Sequence, residues 1–169
     1  MHYKYCPQCG TKLSDKIAGD DGFIPFCEKC DKYWFDTFAS CVIVLVANEF
    51  NEIALLNQNY ISEKHANFVS GYIVPGENAE ETAIREVREE IGITLEKLES
   101  AGTYWFEKKD MLMHGFIGYA KKTDFILSSE VDSAEWVEAL KAPEKMFPDR
   151  PGNVMHPLYR KYLNDIKVY

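Results

Sequence analysis

Residues 71–93 read GYIVPGENAEETAIREVREEIGI. The first six residues of this stretch include two glycines and a proline, which favour a loop because both residue types are typical of turns and interrupt helices. From Asn78 onward the composition changes to alanine, glutamate, arginine and isoleucine with a helical period. Gly92 is typical of the residue that follows a helix. The stretch therefore predicts a loop, a helix and a second loop.

The predicted helix has an apolar side and an acidic side. At about 100° of rotation per residue, three aliphatic residues share one arc: Ile84, Val87 and Ile91. A second arc holds three carboxylates: Glu86, Glu89 and Glu90. These carboxylates repel each other at i,i+3 and i,i+4 spacing. A divalent cation would remove that repulsion, since hard ions such as Mg²⁺ bind oxygen ligands. The alternative interpretation is a solvated acidic helix.

The spacing of the glycines and charged residues resembles the Nudix box. The pattern runs Gly71, five residues, Glu77, seven residues, Arg85-Glu86, an aliphatic residue, any residue, Glu89-Glu90, any residue, Gly92 and an aliphatic residue. Every defining position of the box is filled. The resemblance implies the Nudix α/β/α sandwich with a mixed β-sheet, an α/β fold. It also implies hydrolysis of the diphosphate bond of a nucleoside diphosphate that is linked to another group.

The same resemblance implies a role for each residue of the box. Glu86 and Glu90 would be the principal ligands of a catalytic Mg²⁺ or Mn²⁺, with Glu89 as the third. The carbonyl of Gly71 would be a further oxygen ligand, because a residue without Cβ allows close approach to the backbone. The two remaining residues are implied to support the site, Glu77 as a neighbour and Arg85 as an orienting group that can pair with Glu81 or Glu89.

Two carboxylates are candidates for the general base. Glu89 is one candidate within the box. Glu130 is the other, because its distance from Trp136 resembles that of the catalytic glutamate in one branch of the Nudix family. The alternative for Glu130 is a solvated loop carboxylate, and Glu96 and Glu99 are expected to stay in the loop after the helix.

Residues 1–36 are expected to form a separate zinc ribbon ahead of a Nudix domain at 37–169. Two C-x2-C pairs, Cys6 with Cys9 and Cys27 with Cys30, are separated by 17 residues, a spacing typical of Cys₄ zinc sites. Two such pairs can complete a tetrahedral Zn²⁺ site. Because the segment is too short to fold on a hydrophobic core alone, a structural Zn²⁺ would supply folding free energy. The alternatives are a disulfide pair and a redox-active C-x-x-C.

A ribbon before the box is similar to the zinc-ribbon NADH pyrophosphatase branch of the family. Residues 112–116, LMHGF, stand where that branch has Leu-Met-x-x-Phe. The proline-rich marker of the branch, SQPWPFPxS, is missing, since residues 103–111 read TYWFEKKDM. The additional N-terminal domain of the branch is not expected here, since the given sequence begins at the ribbon. We therefore expect a hydrolase that is not selective for NADH. The aromatic residues 104–106 either stack on a base or belong to the core.

The rest of the sequence favours one ordinary domain with a small appendage. Residues 40–47 predict a strand that is buried on both faces, with Cys41 as a small core residue. Further strands are expected at 53–56, 68–70, 103–106 and 111–120, shorter apolar runs at 125–127 and 136–137, a loop at 141–152, and an amphipathic helix from Asn153 to about Lys167.

Composition narrows the class of partner. A net charge of −8 opposes non-specific binding of nucleic acid, which requires lysine and arginine. No apolar run is long enough to span a membrane, and the N-terminus lacks the pattern of a secretory signal, so a cytoplasmic protein is expected. The expected partner is a small nucleotide diphosphate, and the ribbon is interpreted as a structural or dimer-forming unit, which makes a homodimer one expectation.

Two alternatives to a small-molecule hydrolase belong to other functional classes. One is a non-catalytic module that senses a nucleotide and contacts a partner through the ribbon. Such sensors usually lose carboxylates of the box, whereas all of them are present here. The other is decapping of nucleotide-capped RNA, which the acidic composition opposes.

Overall fold

The computed structural model describes residues 3–166 and consists of two compact units, one ending at Phe38 and the other beginning at Ala39. The boundary lies just beyond residue 36, where the ribbon was predicted to end. The predicted end of the last helix at Lys167 lies outside the described residues.

The first unit is a small antiparallel sheet. Its three strands are β1 (Ser14–Ile17), β2 (Phe23–Cys27) and β3 (Lys32–Tyr33), in the order β1-β2-β3. A short 3₁₀ turn at Gly19–Asp21 joins β1 to β2. Among its described residues, only four are buried: Cys6, Pro25, Phe26 and Cys27. Two of these four are cysteines, so apolar burial alone offers this unit little stability.

The second unit is built on a six-stranded mixed sheet. Its strands are β4 (Ala39–Ala47), β5 (Glu52–Asn57), β6 (Val69–Tyr72), β7 (Lys97–Phe106), β8 (Met111–Tyr119) and β9 (Ser133–Glu138). The strand order is β7-β8-β4-β5-β9, and β6 pairs with β4 beside β5. The pairing of β4 with β8 is parallel, while the other ladders are antiparallel.

Two helices cover the two faces of this sheet. Helix α1 (Ala79–Ile91) packs on the face that carries Val42, Val44 and Val46. Helix α2 (Met155–Asp165) packs on the opposite face, with the odd-numbered residues of β4. Both faces of β4 are therefore buried, as the continuous apolar run predicted. The α/β/α sandwich with a mixed sheet is confirmed, and Cys41 is a buried core residue.

Several elements differ from the sequence-based expectation. Strand β7 begins at Lys97, so Glu99 lies in a strand opposite Ile117 and not in a loop. Residues 125–127 form no strand, and a 3₁₀ helix at Ala139–Glu144 occupies part of the predicted loop 141–152. Among the aromatic residues 104–106, Tyr104 and Phe106 pack against the core on the α2 side, which supports the core interpretation for these two.

No helix within residues 3–166 is long and apolar enough to cross a membrane.

Candidate functional site

Helix α1 is fixed at both ends by its own sequence. The side chain of Asn78 accepts a hydrogen bond from the backbone N–H of Glu81 at 2.9 Å, and the Glu81 carboxylate accepts one from the N–H of Asn78 at 3.0 Å. This reciprocal capping box satisfies two N–H groups that the helix itself cannot pair. At the other end Gly92 takes a left-handed conformation with φ of 71° and donates its N–H to the carbonyl of Arg88 at 3.1 Å. The helix and the second loop are thereby confirmed, whereas Gly71 and Tyr72 belong to strand β6, so the first loop covers only residues 73–78.

The buried face of α1 is rotated about the helix axis relative to the predicted apolar arc. Ala83, Val87 and Ile91 are buried, whereas Ile84 is 48% exposed, so its assignment to the apolar arc was wrong. Because the buried arc is centred between Ala83 and Val87, it extends to Glu90 on its acidic edge. The helix therefore carries a carboxylate into the interior, and the three box carboxylates have different environments.

Arg85 connects four groups at the edge of α1. Its guanidinium forms a two-pronged ion pair with Glu77, at 2.8 Å from Nε and 3.0 Å from Nη2. Its Nη1 donates to Glu86 at 2.7 Å and to Glu89 at 2.9 Å, and Nη2 reaches the carbonyl of Tyr72 at 3.3 Å. Arg85 pairs with Glu89 and not with Glu81, which is used in the cap. The ion pair also holds the pKa of Glu77 below its usual range.

Glu86 lies against the backbone of Gly71. A Cβ built on Gly71 would overlap the carboxylate of Glu86, so only glycine leaves room for this side chain in its observed position. Burial raises the pKa of Glu86, the contact with Arg85 opposes the rise, and the charges of Glu89 and Glu130 add to it. Gly71 therefore brings strand β6 into direct contact with the partly buried Glu86 carboxylate of helix α1.

Glu90 is the most buried carboxylate of the site, at 5% exposure. Burial raises its pKa to about 8, and the charges of Glu86 and Glu130 add to the rise, while the N–H of Ser70 and the side chain of Gln58 oppose it. Within residues 3–166 its Oε2 atom has no hydrogen-bond partner. A buried carboxylate oxygen without a donor is costly, and a bound cation would satisfy it. The donor set of Glu90, Glu86 and Glu89 fits the hard divalent ions Mg²⁺ and Mn²⁺, which prefer oxygen ligands.

Glu130 approaches this cluster from another part of the chain. It lies in the exposed turn at residues 128–131, where its N–H donates to the hydroxyl of Ser128 at 3.3 Å. Its charge raises the pKa of both Glu86 and Glu90, so it lies within the electrostatic field of the box. It lines an open cleft of about 480 Å³. The other residues of this cleft are Asn59, Tyr60, Ser129 and Asp132.

The predicted carboxylates of the site have different environments in the structure. The charge of Glu130 raises the pKa of Glu86 and of Glu90, while the Glu89 side chain is 60% exposed and is held through Arg85. Two residues of the site were missed by the sequence analysis, namely Gln58 and Tyr60. The alternation of strand β5 could have indicated the first, because Ala54 and Leu56 are buried on the α1 face and Gln58 continues that period.

The four ribbon cysteines form a compact cluster in the first unit. The Sγ atoms of Cys6, Cys9, Cys27 and Cys30 all lie within 4.8 Å of one another, and none of them is in a disulfide. The Sγ atoms of Cys6 and Cys30 are 3.9 Å apart, and those of Cys9 and Cys27 are 3.6 Å apart. Four thiolates around one tetrahedral Zn²⁺, each at about 2.3 Å, would have similar separations. The cluster therefore fits a single zinc ion.

Comparison with known proteins places this geometry in a family. The model of the NUDIX domain matches residues 37–157. Among curated relatives, the NAD-capped RNA hydrolase NudC of Pseudomonas fluorescens is 25% identical over 142 residues, which is 83% of this chain and 50% of that protein. NudC of Vibrio atlanticus is 26% identical over 165 residues, covering 97% of this chain and 59% of the relative. The chain spans about half the length of the curated relatives it matches.

Solved structures share the fold. A NUDIX hydrolase from Nitrosomonas europaea superimposes with a TM-score of 0.69 at 19% identity, over 96% of this chain and 92% of the other. An Ap4A hydrolase of C. elegans in a binary complex superimposes with a TM-score of 0.62 at 23% identity, over 78% and 99%. The family match covers the helix, the glycine contact and the carboxylates described above, and the chain therefore belongs to the NUDIX family.

Proposed function

We propose that this protein is a metal-dependent pyrophosphohydrolase that cleaves the diphosphate bond of a nucleoside diphosphate linked to another group. The observation that carries the proposal is the buried Glu90 oxygen without a donor, beside the carboxylates of Glu86 and Glu130. A buried carboxylate oxygen without a donor, close to other negative charges, destabilises the metal-free protein. A bound divalent cation would remove this destabilisation. A nucleotide-sensing module without catalysis would have no need of the complete set of box carboxylates.

Glu86 and Glu90 would hold the catalytic Mg²⁺ or Mn²⁺, with Glu89 as the third carboxylate and the carbonyl of Gly71 as a further oxygen ligand. When bound, the ion neutralises phosphate charge and lowers the pKa of bound water. Arg85 keeps Glu86 and Glu89 in place through its 2.7 and 2.9 Å contacts. Glu77 acts on the carboxylates only through Arg85, which it binds with both of its oxygens.

Glu130 is the carboxylate best placed to act as general base. It is exposed in the cleft and makes no ion pair within the described residues, so it is accessible to a water molecule. The water oxygen forms a bond to one phosphorus, the bond from that phosphorus to the bridging oxygen breaks, and Glu130 accepts the water proton. Two phosphate monoesters leave. Glu89 is the weaker candidate, because Arg85 already binds its carboxylate.

The substrate is proposed to be a dinucleotide such as NADH or an ADP-ribose-like nucleotide sugar. A second candidate reaction is the hydrolysis of NAD-capped RNA, which is favoured by the names of the curated relatives. The net charge of −8 favours the small substrate over RNA.

Two further features belong to this proposal. The four cysteines hold a structural Zn²⁺, and the ribbon serves as a structural or dimer-forming unit. In the dimer-forming role, light scattering should detect a homodimer. Cysteines that bind metal and do not pair as disulfides fit a reducing compartment, which supports a cytoplasmic location.

A substrate panel tests the function directly. Purified protein with Mg²⁺ or Mn²⁺ is incubated with NADH, ADP-ribose, other nucleotide diphosphates and NAD-capped RNA, and products are identified by mass. We expect two monophosphates from at least one small substrate, no turnover in EDTA, and no preference for NADH. Glu86→Gln and Glu90→Gln should abolish turnover, while Glu144→Gln, an exposed acid at the end of the 3₁₀ helix, should not. Near-normal turnover in either box variant would overturn the metal-site assignment.

A further inference from the structure

Gln58 is almost completely buried, at 1% exposure, although glutamine is usually found at the surface. It directly follows strand β5 and continues the alternation of Ala54 and Leu56 toward helix α1. The backbone carbonyl of Gln58 accepts hydrogen bonds from the N–H groups of Ile61 and Ser62 at 2.8 and 3.0 Å, which fixes a tight turn. The backbone that carries this buried side chain is therefore fixed by a turn.

The amide of Gln58 stands between two groups of the site. Its Nε2 donates to the hydroxyl of Tyr60 at 3.2 Å, while its Oε1 has no partner within residues 3–166. On the other side, the Gln58 side chain favours the ionised form of Glu90, whose Oε2 also lacks a donor. Gln58 Oε1 and Glu90 Oε2 are thus two buried acceptors without a donor among the described residues, while the –NH2 group of Gln58 has a second N–H besides the one that binds Tyr60.

We propose that Gln58 is a positioning residue that orients the Glu90 carboxylate for metal binding, and that the Tyr60 hydroxyl keeps the Gln58 amide in the required orientation. The inference rests on the proposed function, because it takes Glu90 as a metal ligand.

The amide can serve both neighbours in its observed orientation, because its –NH2 group has two N–H donors. One N–H donates to the hydroxyl of Tyr60. The other is the donor by which Gln58 favours ionised Glu90, whose Oε2 remains for the cation. Such outer partners fix the orientation of a ligand, and their loss typically weakens metal binding by about 10- to 100-fold.

Tyr60 extends this chain of hydrogen bonds to the surface of the cleft. Its side chain is 70% exposed, yet burial of the hydroxyl raises its pKa, and the charges of Glu90, Glu130 and Glu86 add to the rise. The loop that carries Tyr60 is tied to the loop of Glu130 through Asp132. The Asp132 carboxylate accepts the N–H of Asn59 at 2.7 Å, and its own N–H donates to the carbonyl of Asn57 at 2.9 Å.

The test measures Mn²⁺ binding to the metal-free 169-residue protein. Free Mn²⁺ is quantified by its electron paramagnetic resonance signal. Gln58→Met keeps the shape of the side chain and removes the amide, so we expect Mn²⁺ affinity to fall about 10- to 100-fold without a comparable loss of thermal stability in EDTA. Tyr60→Phe removes only the hydroxyl and should weaken binding by a smaller factor. Asn48→Ala is the matched control, because Asn48 is a buried polar residue in the β4–β5 turn that holds Glu52. It should lower the melting temperature and leave Mn²⁺ affinity unchanged.

Each outcome decides the inference. Wild-type Mn²⁺ affinity in folded Gln58→Met would overturn it. If Gln58→Met does not fold, Tyr60→Phe decides, since weaker Mn²⁺ binding supports the inference and unchanged binding overturns it. If wild-type protein itself binds no Mn²⁺, the proposed function fails, and this inference fails with it. Weak Mn²⁺ binding in the Asn48→Ala control would show that the assay reports stability and would also count against the role of Gln58.

Discussion

At the scale of single residues, burial distinguishes carboxylates that the sequence places together. The box pattern predicted Glu86, Glu89 and Glu90 as one acidic face. The structure makes Glu90 a buried group, Glu86 a partly buried group and Glu89 an exposed one. A helical period gives relative angles but not the direction of the sheet, so the burial of Glu90 could not be predicted from spacing.

The raised pKa of Glu90 predicts how the stability of the metal-free protein depends on pH. The folded pKa is about 8 and the ordinary value is 4.5, so the folded state binds a proton that the unfolded state has lost between these values. Stability should therefore be greatest below pH 4.5 for this group and be lost as pH rises through 8. Glu90→Gln removes this loss and should be more stable than wild type at pH 8.5, by up to roughly 5 kcal/mol.

Urea unfolding of both proteins in EDTA at pH 6 and 8.5 measures this difference. Added Mn²⁺ should stabilise wild type and not Glu90→Gln. The same pH dependence in both proteins would show that folding does not raise the pKa of Glu90.

Glu130 is predicted to be required for turnover but not for the fold. Glu130→Gln removes the proton acceptor of the cleft and should lower kcat by about 10²- to 10⁴-fold. Asp132 is unsuitable as the control, because its carboxylate holds the N–H of Asn59 at 2.7 Å. Asp124→Asn changes an exposed acid outside the cleft and should retain normal kcat. Equal, small effects of both substitutions would return the role of base to Glu89.

At the scale of elements, the capping box determines where α1 begins. Asn78→Ala removes the acceptor for the Glu81 N–H, and we expect the free energy of unfolding to fall by about 1 kcal/mol. Asn78→Asp keeps an acceptor at the positive end of the helix and should retain most of the stability. Chemical denaturation of the three proteins measures the effect. A loss in Asn78→Asp as large as in Asn78→Ala would show that the cap does not depend on the acceptor.

Elements with a continuous or strongly periodic pattern were predictable, and interrupted ones were not. Strand β4 and helix α1 follow directly from an apolar run and from a helical period between caps. Strand β7 was predicted only from Thr103, although it begins at Lys97. A register shift separates Ser100 from Thr103, and Gly102 within it has φ of 97°. The irregularity breaks the alternation of period two on which strand prediction depends.

At the scale of the whole molecule, the two units depend on different sources of stability. The second unit has two apolar cores, one on each face of its sheet. The first unit buries Pro25 and Phe26 besides two cysteines among its described residues. The cysteine spacing predicted this separate unit, because metal ligands follow simple rules of spacing. The Gln58 and Tyr60 contacts could not be predicted in the same way, since they depend on how a loop returns beneath a helix.

Metal analysis of protein purified without added zinc should find about one Zn²⁺ per chain. Removal of zinc by a strong chelator should expose the amides of residues 3–38 to hydrogen exchange while the strands of the second unit stay protected, because binding energy of the ion is folding energy for a small domain. A Cys27→Ser variant should show the same pattern without chelator. A disulfide found under native conditions, without zinc, would contradict the metal site.

The contact between Gly71 and Glu86 has a consequence for mutant libraries. The φ of Gly71 lies outside the left-handed region, so its backbone does not require glycine. Only the end of the flexible Glu86 side chain occupies the space of a Cβ. A library selected for soluble, folded protein should therefore accept alanine or serine at position 71, whereas one selected for turnover should recover glycine. Deep sequencing of the two selections would separate the demands of folding from those of catalysis at a single codon.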